Sequence, residues 1–172
     1  CGSSGTDPEP APINPVTPGT PDTETVTAQN PTKTNAMKIY AHYMPWFVKP
    51  TASGVWNHWT MSAHALNSTN YASWYHPLTD AYASDDTVIL DYQCLLMKYA
   101  GIDGVMVDWY GTQQKNDYPQ NEVNTKALLK AIEKAKLKMA IVYEDATLDG
   151  LDDNGKQAQA RSDMQYLNSA YF

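Results

Sequence analysis

The sequence is poor in cysteine, phenylalanine and cations, and each shortage excludes something. Two cysteines in 172 residues, Cys1 and Cys94, cannot build a disulfide framework. Twelve Lys plus Arg against nineteen Asp plus Glu leave a net charge of −7, which argues against nucleic acid as a partner, because a phosphate backbone demands a basic face. No apolar run is long enough to cross a bilayer as a helix. The histidines, His42, His58, His64 and His76, form no HExxH or other close ligand spacing, and no Gly-rich phosphate loop follows an apolar run. These spacings argue against a zinc site and against a nucleotide-binding α/β domain. Against 2 Phe stand 12 Tyr and 5 Trp, so most of the aromatic surface carries a polar handle that can stack and hydrogen-bond together. That bias suits neutral ligands.

Large apolar residues are nearly absent from residues 1–36, which hold 7 of the 11 prolines. Such a segment cannot bury enough surface to offset its chain entropy, and it reads as a disordered Pro/Thr-rich linker. A chain opening on cysteine and followed by a polar tether resembles a bacterial lipoprotein after signal-peptide cleavage. The resemblance implies lipidation of Cys1, a membrane link through that lipid alone, and a place at the outer membrane, cell surface or periplasm. A cloning scar is the other reading of "GSSG". Cys94, inside a predicted helix among apolar neighbours, reads as a buried free thiol.

From Met37 onward strand and helix alternate. "MKIYAHYM" is a β-rich run that ends at the Pro45-Trp46 step. An aromatic-rich stretch without either period follows to about Ala83; a loop of that length in a compact domain is usually functional or disordered, and this one is too aromatic for disorder. "SDDTVILDYQCLLMKYAG" predicts a helix capped by Ser84, with Gly101 at its end and an apolar stripe of Val88, Tyr92, Leu95, Leu96 and Tyr99. "GVMVDW" then reads as a buried strand. "NTKALLKAIEKAKLK" predicts a second helix that buries Leu128, Leu129, Ile132 and Ala135, and "KMAIVYED" a third strand. A last helix carries Ala160, Met164, Leu167 and Tyr171 at helical spacing. Wholly apolar strands joined by crossover helices make right-handed parallel units, so the fold class is α/β.

The second and third strands both end on acids and aromatics: Asp108, Trp109 and Tyr110 in one, Tyr143, Glu144 and Asp145 in the other. In parallel α/β folds ligand sites form beyond the carboxyl ends of the strands, where the loops converge. Rings to stack on a pyranose and carboxylates to accept its hydroxyls are what a sugar site needs. The competing reading is that Asp108 and Glu144 cap the following loops or pair with lysines.

The ordered series "KIYAHYMPWF", "GVWNHWTM", "YHPLTDAYASDDTVILDYQCLLMKYAGIDGVMVDWYGTQ" and "ALLKAIEKAKLKMAIVYED" resembles the N-terminal part of glycoside hydrolase family 71 and 99-like proteins, which include endo-α-mannosidases and α-1,3-glucanases. The resemblance covers Met37 to about Asp145. It implies a partial (β/α)₈ barrel with about three N-terminal units in residues 37–172, an α-linked oligo- or polysaccharide as partner, glycosidic-bond hydrolysis and no cofactor. It also implies a sugar-site wall of Tyr43 and Trp46 with His42 in the same motif, His58 and Trp59 in the next, then Asp108, Trp109 and Glu144 facing the same cleft. A whole barrel takes roughly 250 residues, and no segment like the relatives' Asn-Glu-Trp-x-x-Glu occurs here, so no catalytic pair is carried over. Asp108 and Glu144, on adjacent strand ends, are close enough in such a fold to be candidates, although the resemblance argues against them. A glycan-binding surface lipoprotein without catalysis is the alternative reading.

Overall fold

In the computed structural model, which describes residues 32–34, 36–50, 56–60 and 71–172, the three apolar runs form one parallel sheet. Cys1, nearly all of the linker and His64 lie outside the described residues. The strands are β1 (Tyr40–Tyr43), β2 (Gly104–Trp109) and β3 (Lys138–Tyr143), side by side in that order. Their register sets His42 beside Met106 and Ala140, Tyr43 beside Val107 and Ile141, and Trp109 beside Tyr143. At the start of β2 the strands approach so closely that a Cβ on Gly104 would lie 2.4 Å from the Lys138 carbonyl and 2.6 Å from the Tyr40 ring. Only glycine fits there.

Helix α1 (Thr87–Tyr99) begins three residues past Ser84. Its cap is Asp86, whose Oδ1 accepts from Val88 N at 3.0 Å and Ile89 N at 3.3 Å. Ser84 has another role: its Oγ accepts from Phe47 N at 3.0 Å while its own N–H donates to Phe47 O at 2.9 Å, pinning the chain that leaves β1. The apolar stripe also differs from expectation. α1 buries Leu90, Cys94 and Met97, and it exposes Val88 (74%), Tyr92, Leu95, Leu96 and Tyr99 (90%). Both stripes have helical period, and the sheet selected the one free of tyrosine. Cys94 is a buried free thiol, as expected, and burial raises its pKa to about 11.

Helix α2 (Tyr118–Ala135) starts at Tyr118 rather than Asn124, with Pro119 in its first turn, where a missing N–H costs nothing. Beyond Leu128, Ile132 and Ala135 it buries Asn121, Asn124 and Thr125, while Leu129 is only half-buried. A short 3-10 turn (Asp145–Leu148) leads to helix α3 (Asp153–Ala170), capped by Asp152 Oδ1, which accepts from Gly155 N at 2.8 Å. Of its expected stripe Leu167 is buried, Ala160 and Tyr171 are half-buried, and Met164 is exposed; the fully buried residue is Asp163.

The core joins Leu90, Cys94 and Met97 of α1, Val105 and Val107 of β2, and Leu128, Ala131, Ile132 and Ala135 of α2, with Ala41, Tyr43, Met139 and Ile141 packed against it. The helices thus cover one face of the sheet. A three-stranded parallel sheet alternating with helices is consistent with part of a (β/α) barrel.

Candidate functional site

The pleat divides the expected site residues between two faces. Successive side chains on a strand point to opposite sides, and Ala41, Tyr43, Val105, Val107, Met139 and Ile141 all pack toward the helices. Tyr43, Trp109 and Tyr143 continue that face. Tyr43 donates its hydroxyl to Gln93 Oε1 of α1 at 2.5 Å. Trp109, 0% exposed, donates its indole N–H to Glu122 Oε2 at 2.6 Å and lies parallel to the Tyr166 ring, while Tyr143 donates to Asp163 Oδ2 at 2.7 Å. These three lie on the helix-covered side of the sheet, not on the face that carries His42 and Asp108.

His42 and Asp108 take the other, open face, and Glu144 and Tyr110 follow just past the strand ends. Asp108 is 6% exposed, and its carboxylate makes no hydrogen bond among the described residues. Burial raises its pKa, the Glu144 carboxylate raises it further, and His42 opposes both. The three groups are therefore in electrostatic reach of one another. Tyr110 is buried, and its phenol pKa is raised by that burial and by Asp108, Asp117 and Glu144 around it. Glu144 is also engaged locally, since its Oε1 accepts from Ala146 N at 3.2 Å and caps the 3-10 turn, as the competing reading has it. Asp145 is exposed in the first turn of that element.

Beside this cluster the loop after β1 turns back. Trp46 stacks on His58 with ring centroids 4.7 Å apart and an interplanar angle of 4°, and His58 Nε2 lies 2.7 Å from Asp117 Oδ2. That nitrogen carries the hydrogen, since a carboxylate can only accept. His58 has φ 62°, and its neighbour Trp59 points elsewhere: it is 3% exposed, stacked on Phe47, and donates to Tyr82 O at 2.7 Å. The expected His-Trp pair is thereby separated, one ring at the cluster and one in a packed aromatic plug with Phe47, Tyr71 and Tyr82.

Three residues of the site were not singled out in the sequence. Asp117 occupies the N-cap position of α2, makes no capping hydrogen bond, and gives its carboxylate to His58 instead. Asn121 donates to Asp108 O at 3.2 Å and Asn124 to Pro45 O at 2.8 Å, so one helix fixes the ends of two strands. The N-D-Y-P signal before α2 would have found Asp117 as a helix start; nothing local marks the two asparagines as buried. The indole N–H of Trp46 and Oδ1 of Asn121 are buried and unpaired among the described residues. No group of three or more His, Cys, Asp or Glu side chains among the described residues is arranged to hold a metal ion.

No protein-family model and no curated protein matches the sequence. Among solved structures, the chain is similar to the family 99 endo-α-mannosidase of Bacteroides thetaiotaomicron in complex with bis-tris-propane, with 21% identity and a TM-score of 0.59, covering 78% of this chain and 36% of the enzyme. A second structure of that enzyme gives 20% identity and a TM-score of 0.59 over 77% of this chain and 39% of the other. The chain thus spans less than two-fifths of the length of the enzyme it resembles. At this identity the likeness is one of fold, and the fold of this chain fits a family 99-like N-terminal part.

Proposed function

We propose that this chain supplies the opening strands and part of the sugar-binding cleft of a glycoside hydrolase acting on α-linked glycans, of the endo-α-mannosidase or α-glucanase type. The observation that carries the reading is Asp108: a buried carboxylate at the carboxyl end of β2, on the open face of the sheet, with no hydrogen-bond partner among the described residues. Burial and the neighbouring Glu144 carboxylate both disfavour its ionised form, with His42 opposing them. Perturbations of that kind are kept at sites where they serve function. Asp108 in its protonated form donates to a sugar oxygen, and in its ionised form accepts from a hydroxyl. Trp46, held flat by His58, offers a ring to the apolar face of a pyranose, and Tyr110 adds a hydroxyl within electrostatic reach of Asp108 and Asp117. The fold likeness to a mannosidase supports the substrate class.

The second reading, a glycan binder without catalysis, draws on Glu144. Its carboxylate is engaged in capping the 3-10 turn, so Asp108 and Glu144 do not both stand free as a catalytic pair would. A lipid-anchored place at the cell surface remains a proposal of the same kind, tested by the mass of the N-terminal peptide from the native host.

Titration of the protein with α-linked manno- and gluco-oligosaccharides, with β-linked isomers as controls, tests the assignment. Binding selective for the α-linked series, lost in Trp46→Ala and Asp108→Asn and kept in Trp109→Phe, is the expected result. Loss in Trp109→Phe alone, or equal binding of both series, would sink it. Release of reducing ends separates hydrolase from binder.

A further inference from the structure

The end of the sheet opposite the sugar cluster carries a concentration of positive charge that the proposed function does not use. A cavity of about 310 Å³ opens at the amino ends of the three strands, lined by Lys33 and Lys38 before β1, Lys98 in the last turn of α1, Lys136 and Lys138 at the start of β3, and Asp103 before β2. Five of the chain's twelve Lys and Arg therefore meet at one cavity, in a chain whose net charge is −7.

Local partners account for part of this charge. Asp103 pairs with Lys33 and, at 3.4 Å, with Lys38. Helices α1 and α2 both end here, and each carboxyl terminus contributes about −0.5 of an elementary charge. One carboxylate and two helix ends amount to roughly −2, and even without Lys98 the other four ammonium groups leave an excess near +2. Like charges gathered at a partly enclosed site repel, and Lys98 is held there at 5% exposure. An excess of that size matches a doubly charged oxyanion, since a phosphate monoester carries about −1.5 to −2 at pH 7. The volume lies at the lower end of ligand cavities, about 300 Å³ and upward, and so has room for such a group and part of what bears it.

We propose that this cavity binds a tetrahedral oxyanion, a phosphate or sulfate, free or as a monoester. Lysines act there as point charges around the oxygens. The site lies on the opposite end of the strands from Asp108, so it is independent of the sugar assignment.

The test is calorimetric titration of the chain with inorganic phosphate and with sulfate, alongside thermal melts in which sodium chloride supplies the same ionic strength. Saturable binding, with a melting point several degrees higher than in chloride, is expected. In Lys136→Asn/Lys138→Gln, binding should weaken at least tenfold; asparagine tolerates the left-handed backbone of Lys136, φ 55°, and circular dichroism checks the fold. Lys38→Gln, at a 61% exposed side chain, serves if the double variant does not fold, and should weaken binding severalfold. Equal melting shifts in phosphate and chloride, or unchanged affinity in these variants, would overturn the proposal. Competition by glucose 6-phosphate would name a sugar ester as the source, competition by phosphatidic acid vesicles a lipid headgroup, and competition by neither a free ion.

Discussion

Tyr143, the last residue of β3, donates its hydroxyl to Asp163 in the middle of α3 at 2.7 Å. The same carboxylate accepts from Thr112 N at 2.9 Å, Thr112 Oγ1 at 2.7 Å and Gln159 Nε2 at 2.9 Å, so a fully buried charge closes its hydrogen bonds and ties α3 to the ends of two strands. Gly111 belongs to the same knot: its φ is 85°, and a Cβ there would lie 2.7 Å from Asp163 Oδ2.

Asp163→Asn should therefore destabilise the chain by about 2–4 kcal/mol, because the amide must turn an N–H toward donors that remain buried. Urea unfolding measures it. A loss below ~0.5 kcal/mol, typical of surface substitutions, would show that the knot is not structural.

The two stripes of α1 make opposite predictions. Leu90→Ala removes a side chain packed in the core and should cost about 2–5 kcal/mol. Val88→Ala, on the exposed stripe, should stay within ~0.5 kcal/mol. Equal costs in denaturant melts would mean that the helix is rotated about its axis.

Asp108 has its pKa raised by burial and by Glu144, so protonation favours the fold. The stability this provides is present below the unfolded value, near ~3.9, and is lost as pH rises through the raised value. At pH 7 wild type carries the cost of a buried carboxylate that Asp108→Asn removes. The variant should melt higher at pH 7, the gap should close below about pH 4, and α-glycan binding should fall. A variant that melts lower at pH 7 would assign Asp108 a stabilising partner.

Asp103 behaves in the opposite sense. Its hydrogen bond from Lys33 and the one from Ile39 N, 2.8 Å, lower its pKa from 3.8 to about 2. The contribution is present above the unfolded value and is lost as pH falls through about 2. Asp103→Asn should flatten the stability curve between about pH 4 and pH 2, measured by chemical denaturation at each pH. An unchanged slope would locate the acid sensitivity elsewhere.

The sequence by itself determined the α/β alternation, the three strands to within a few residues, the buried thiol of Cys94 and the acids at the strand ends. Those properties depend on short-range patterns: apolar runs, caps and glycine stops constrain the backbone locally. Tertiary structure decided which face each residue serves. Asp108 and Trp109 are adjacent and looked alike as cleft residues, but a strand's period of two sends one to the open face and the other under α2 and α3, and only the side on which the helices lie fixes which is which. Register likewise brings His42, two strands of chain away from Glu144, into the same electrostatic cluster, and α2 brings Asp117 to His58 across 59 positions. Contacts at that separation leave no local mark, because the geometry that creates them exists only once sheet and helices have packed.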